Sequence, residues 1–374
     1  MEQKIEKALI EKYLSSTELL VSVELFCFIL TDIMNFRTIF ALLVLSCTTA
    51  TAQNNKPLNL TVEARGDYQY TSVDGEKDKD QSGFKGNIVD FVLKGDLSPK
   101  FSYAYRQRLN GINKDYTFFD ATDWLYLKYK PTNNLSLIAG KYIVLVAGWE
   151  LYPAPIDCYF LSEFCYNFPC YQWGLAGEYV TNSKKDAFVA QVCQSPYQKP
   201  YKNRTGNSAD MYAYNLQWMG VHGFYESNWS VNLLEYAPNK FINYISLGNR
   251  FHFGEKVQLE LDFMNRAASH QAFFGKDCSV VGQVSYQPTE KVNVFAKASY
   301  EVNKSGTDAD VAVQDGTELT RIGAGVEYFP LKDKNVRVHG YYSYAFGKNT
   351  NPNGTVRDKE SQVNVGVTWR VKVL

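Results

Sequence analysis

Beyond residue 52 the 374-residue sequence has no apolar run near the roughly 18 residues that a membrane-spanning helix needs, so helical spans are excluded there. It has only four histidines and no Gly-x-Ser-x-Gly elbow, so no common hydrolase or histidine-rich metal site is signalled. It has no net charge, 39 basic residues against 39 acidic ones, which argues against nucleic acid as a partner. Cysteine is sparse, seven in all. Five follow residue 52: Cys158, Cys165, Cys170, Cys193 and Cys278. The first three share one stretch, spaced C-x6-C-x4-C, with no histidine nearby. That spacing matches no zinc pattern and reads as a disulfide staple with one thiol left over and its connectivity open. Nothing in the sequence signals a cofactor or a catalytic residue.

What the chain does have is alternation. In the last segment Val363, Val365, Val367, Trp369, Val371 and Val373 share one face, while Gln362, Asn364, Thr368, Arg370 and Lys372 share the other. Side chains on a strand point alternately to its two faces, so this strand has one apolar and one polar side. About sixteen such segments follow one another between Leu58 and Val373. Tight turns close them after strands 2, 4, 6, 8, 10, 12 and 14, at Ser98-Pro-Lys100 for example, and Glu226-Ser-Asn228 reads as the fourth of these turns. Long loops follow the odd-numbered strands, except at Ala237–Lys240. This pattern fits an all-β transmembrane antiparallel barrel, apolar outside and polar inside, with short turns at one rim and long loops at the other. Aromatics, 15% of the chain, gather beside the turns at Phe101, Tyr129, Tyr179, Phe253, Tyr286 and Phe329, as an interfacial girdle would.

Met34–Arg37, the apolar run to Ser46 and Ala50-Thr-Ala52 make a secretory signal at residues 34–52, with cleavage before Gln53. Residues 1–33 read as an upstream extension or misread start. Val44-Leu-Ser-Cys47 fits a lipoprotein box only loosely. Residues 53–374 then form the exported barrel in the bacterial outer membrane. The last strand resembles an assembly signal for the barrel insertion machinery, although it ends on Leu374 instead of an aromatic.

A sixteen-strand barrel is wide enough for an aqueous lumen. The face assigned inward carries Arg65, Lys94, Arg106, Arg108, Lys128, Arg250, Arg321 and Arg337 as candidate pore-lining residues, with carboxylates among them. Arg106 and Arg108 lie one above the other and rank first as an anion-attracting pair. The stretch Val144–Cys170 lacks alternation and is rich in aromatics, which is unusual for a loop in water. It is expected to fold inward as a constriction, with Lys141, Trp149, Glu150, Asp157 and Glu163 at the narrow point. A cap over the outer rim or a subunit contact stays open as an alternative.

Leu135-Ser-Leu-Ile-Ala-Gly-Lys-Tyr142, then Gly148-Trp-Glu150 and the returning Gly174-Leu-Ala-Gly-Glu178, resemble the phosphate-selective porin O and P family, particularly its relatives in the Bacteroidota. The resemblance implies a homotrimer of sixteen-strand channels with an inward-folded third loop, and arginines and lysines lining the pore. The loop departs from that pattern in being aromatic and acidic. The function expected is diffusion of small hydrophilic solutes or ions across the outer membrane, with anion or phosphate preference in question. A plugged structural or adhesive barrel is the alternative, and a barrel enzyme a more distant one.

Overall fold

A computed structural model of the chain describes residues 58–111, 117–268 and 274–373. The expected signal peptide, the segment 1–33 and Cys47 lie outside these residues, as does His270.

Sixteen long antiparallel strands close into a barrel. In chain order they are β1 Asn59–Val73, β2 Gly83–Ser98, β3 Phe101–Arg108, β4 Thr122–Tyr129, β5 Leu135–Ile143, β6 Tyr171–Val180, β7 Asp186–Gln194 and β8 Tyr212–His222. The second half runs β9 Tyr225–Ala237, β10 Lys240–Phe253, β11 Val257–Ala268, β12 Asp277–Thr289, β13 Val292–Asn303, β14 Glu318–Tyr328, β15 Val336–Lys348 and β16 Glu360–Lys372. Each pairs with its chain neighbours, and β1 pairs with β16 from Thr61↔Lys372 to Val73↔Glu360, so the ladder has no free edge. The two-residue strand Glu76–Lys77 only folds back onto the end of β1.

The alternation in sequence is the wall of the barrel. On β16 the outward Val365 and Val371 are half exposed, while inward Asn364 and Thr368 are buried. Near the turn rim Phe101 stacks on Tyr129 across β3 and β4, with ring centroids 4.6 Å apart. One boundary differs from the sequence reading. The turn expected at Glu226-Ser-Asn228 lies at Gly223-Phe224, where Gly223 takes φ +67°. The triplet belongs to β9 and is polar because Glu226 and Asn228 face the lumen, where they meet Arg250 and the Gly148 carbonyl.

Two loops carry short helices that alternation could not reveal. They are α1, Glu163–Asn167, capped by the Ser162 hydroxyl, and α2, Gln198–Thr205, ended by Gly206 at φ +75°.

Candidate functional site: the barrel lumen

Residues 144–170 leave β5 at one rim and pack inside the barrel. Val144, Leu145, Val146 and Ala147 are buried, and Val144, Val146, Phe164 and Phe168 join Tyr197, Met211, Leu234, Ile242 and Tyr244 in one apolar core. A loop inside a barrel needs partners for its backbone, because it builds no ladder of its own. The inward polar side chains supply them. Gln191 Oε1 accepts from the Leu145 N–H, Ser230 Oγ from that of Ala147, and Asn232 and Asn228 donate to the carbonyls of Leu145 and Gly148. Farther along, Arg65 donates to the Cys158 carbonyl at 2.7 Å, Arg337 to that of Ile156 at 2.9 Å and Arg321 to that of Leu161 at 3.1 Å. Glu301 accepts from the N–H groups of Glu163 and Phe164. The loop is fastened from β7 around the wall to β1.

Gly148-Trp149-Glu150 is its central fixing point. The Asp262 carboxylate on β11 accepts from the N–H of Trp149 and of Glu150, each at 2.8 Å. Gly148 holds φ +133°, a region closed to side chains, and a Cβ there would stand 3.2 Å from that carboxylate. Gly248, behind it, leaves room for Gly148 itself, whose Cα would lie 3.0 Å from an added Cβ. Trp149 is buried, with the Arg250 guanidinium 3.6 Å above its ring. Glu150 pairs with Lys297 at 2.5 Å, both charges buried.

The lumen charges fall into two groups. Arg65, Arg106, Arg321 and Arg337 face inward as expected but are 5, 1, 4 and 6% exposed. The expectation that they line the pore is corrected: three are covered by the loop they hold, and Arg106 is enclosed by Asp123, Trp124 and Tyr171. Four residues keep contact with water. Lys94 is exposed, Arg108 has a side chain 37% exposed, and Lys128 and Arg250 are partly so, paired with Glu178 and with Glu226 and Glu260. Lys94, Arg106 and Arg108 form a column on β2 and β3. Lys94 and Arg106 share the Trp124 ring, at 4.9 and 4.0 Å, and both arginines reach Asp123 Oδ2, at 2.8 and 3.0 Å. Asp123 and Asp90, which is buried opposite Arg108, set two carboxylates against three cations.

The sequence pattern of the phosphate-selective porin O and P family matches residues 58–368. The chain belongs to that family. It is an outer-membrane porin, and family and fold place it with channels instead of enzymes. No curated protein matches it in sequence. Among solved structures, the porin is similar to the anion-selective porin from Comamonas acidovorans, with 12% identity over 84% of this chain and 99% of that one and a TM-score of 0.61. It is also similar to the outer membrane channel DcaP of Acinetobacter baumannii, with 14% identity over 84% and 97% and a TM-score of 0.60. In-vitro folded OmpT of Vibrio cholerae in its trimer form is a third, with 12% identity over 84% and 99% and a TM-score of 0.53. At these identities the likeness is one of fold.

Within the porin, several loop expectations change. Cys158, Cys165 and Cys170 are free thiols, not a staple. Cys158 donates to the Ala154 carbonyl and Cys170 to that of Phe168, so each thiol is turned to its own stretch of backbone. Burial pushes Cys158 up to about 11 and Cys170 up to about 12. Lys141 stands on β5, buried, and donates to the Phe119 carbonyl at 2.6 Å. Glu163 is wholly buried and accepts from Asn167 and the Val356 N–H. Of the loop carboxylates named in the sequence reading, Asp157 keeps most contact with water, bridging Arg337 at 2.9 Å and Arg370 at 2.7 Å.

The sequence reading missed Asp123, Trp124 and Tyr171. Asp123 falls where the β3–β4 register shifts, between the pairs Arg106↔Trp124 and Gln107↔Thr122, and simple alternation sends it outward. An acidic residue on a face otherwise made of Leu125 and Leu127 was the available signal.

Proposed function

We propose that this porin passes small hydrophilic solutes and favours anions, along a passage on the β1–β4 side of the lumen, with residues 144–170 as the constriction. The carrying observation is the Lys94–Arg106–Arg108 column. Aromatic rings hold its cations and Asp123 and Asp90 only partly offset them. Fixed positive charge in a narrow, low-dielectric wall raises the local concentration of anions. Elsewhere the apolar core of the loop packs against β7–β11 near the long-loop rim. The Comamonas porin's anion selectivity supports the same direction. Assembly as a homotrimer is supported by the OmpT trimer form. The outward apolar faces would contact outer-membrane lipid, the last strand would engage the barrel assembly machinery, and residues 34–52 would direct export.

Charge reversal at the two water-facing members of the column tests this. Lys94→Glu with Arg108→Glu should abolish or invert the anion preference measured from reversal potentials in lipid bilayers, with the barrel still folded. Unchanged selectivity in a folded double variant would overturn the assignment.

A further inference from the structure

On the other side of the lumen, between the loop and β10–β15, lie two cavities of about 210 and 350 Å³. Both are lined by Gln283, Asn293 and Glu327, so they adjoin, and the larger reaches the turn at residues 254–256 on the short-turn rim. The smaller is walled by Trp149, Tyr159 and Phe295.

Two donors in this wall are unused. Trp149 Nε1 and Arg337 Nε are buried with no hydrogen-bond partner, and the residues are 3 and 6% exposed. A buried donor without an acceptor is costly, so an acceptor that reached either group past the side chains covering it would gain what the empty protein forgoes. Each carboxylate of the smaller cavity already has partners, Asp262 through the N–H groups of Trp149 and Glu150. Glu150 holds Lys297, Asp157 holds Arg337 and Arg370, Glu260 holds Arg250, and Glu327 takes Arg337 and the Tyr159 hydroxyl. A free anion would face these carboxylates, and a free cation would have to displace an arginine or lysine. A neutral ligand with several hydroxyl groups meets neither obstacle. Each hydroxyl can accept from a vacant donor and donate to a carboxylate or amide oxygen, and the aromatic walls cover its C–H surface.

We propose that this cavity is a binding site for a neutral polyhydroxylated solute of one or two sugar rings, entered from the short-turn rim. It lies across the barrel from the cation column and is independent of the pore's ion preference.

Isothermal titration calorimetry on the folded, detergent-solubilised protein tests it without requiring conductance. The probes are maltose and inorganic phosphate. Saturable maltose binding is expected. Trp149→Phe, which keeps a ring and removes only the N–H, should weaken it roughly 3- to 10-fold. Gln283→Leu, at the junction of the cavities, should weaken it as well, and neither substitution should alter any phosphate heat. No saturable maltose binding by the folded wild type would overturn the proposal. So would maltose binding that both folded variants retain unchanged.

Discussion

Asp123 shows what one extra residue does to a lumen charge. The register shift beside it turns its carboxylate inward, where it holds Arg106 and Arg108 at 2.8 and 3.0 Å. The sequence showed both arginines on the inner face, because strand alternation assigns faces. It did not show their partner, because a bulge breaks that rule locally. Glu150 and Asp157 give the same lesson within the loop. Their charge was legible, whereas their neutralisation depends on Lys297, Arg337 and Arg370, each more than a hundred residues away in sequence. The cysteines yield a prediction at this scale. With Cys158 near 11 and Cys170 near 12, roughly one thiol in a thousand or fewer is ionised at a pH of about 8. Mass spectrometry should find both unlabelled by a maleimide in the folded barrel and labelled after unfolding in denaturant, where the thiols titrate near their ordinary value. Rapid labelling of either in the folded state would contradict the packing described for the loop.

Among the elements, the sixteen strands were legible almost to their ends, since a closed barrel imposes the same apolar and polar alternation on each of them. The loop at residues 144–170 was legible only as an exception to that pattern. Its path follows contacts with side chains on β7, β9, β11, β13, β14, β15 and β1, which no local periodicity encodes. Gly148-Trp-Glu150, noticed in the sequence as a motif, is a point of backbone capture by Asp262. Asp262→Ala removes two charge-assisted hydrogen bonds and leaves two N–H groups without their acceptor. It should destabilise the folded barrel by about 3 kcal/mol in urea titrations and release the loop to proteases between residues 147 and 162. Single-channel conductance should rise as the loop loosens. A variant with wild-type stability and an equally protected loop would show that the fastening lies elsewhere.

For the molecule as a whole, the lumen is divided. The loop and its apolar core pack against β7–β11, a polar cavity opens beneath the loop toward the short-turn rim, and Lys94 and Arg108 of the cation column face water on β2 and β3. Because β3 and β11 stand eight strands apart in the ladder, Asp262 fixes the loop to the wall opposite the column. The proposed anion passage runs beside Lys94 and Arg108. Planar-bilayer recording of the wild-type protein in a KCl gradient tests this most directly. Stable conductance steps are predicted, with a reversal potential displaced toward that of chloride. A properly inserted barrel that carries no current, or a reversal potential displaced toward that of potassium, would contradict it.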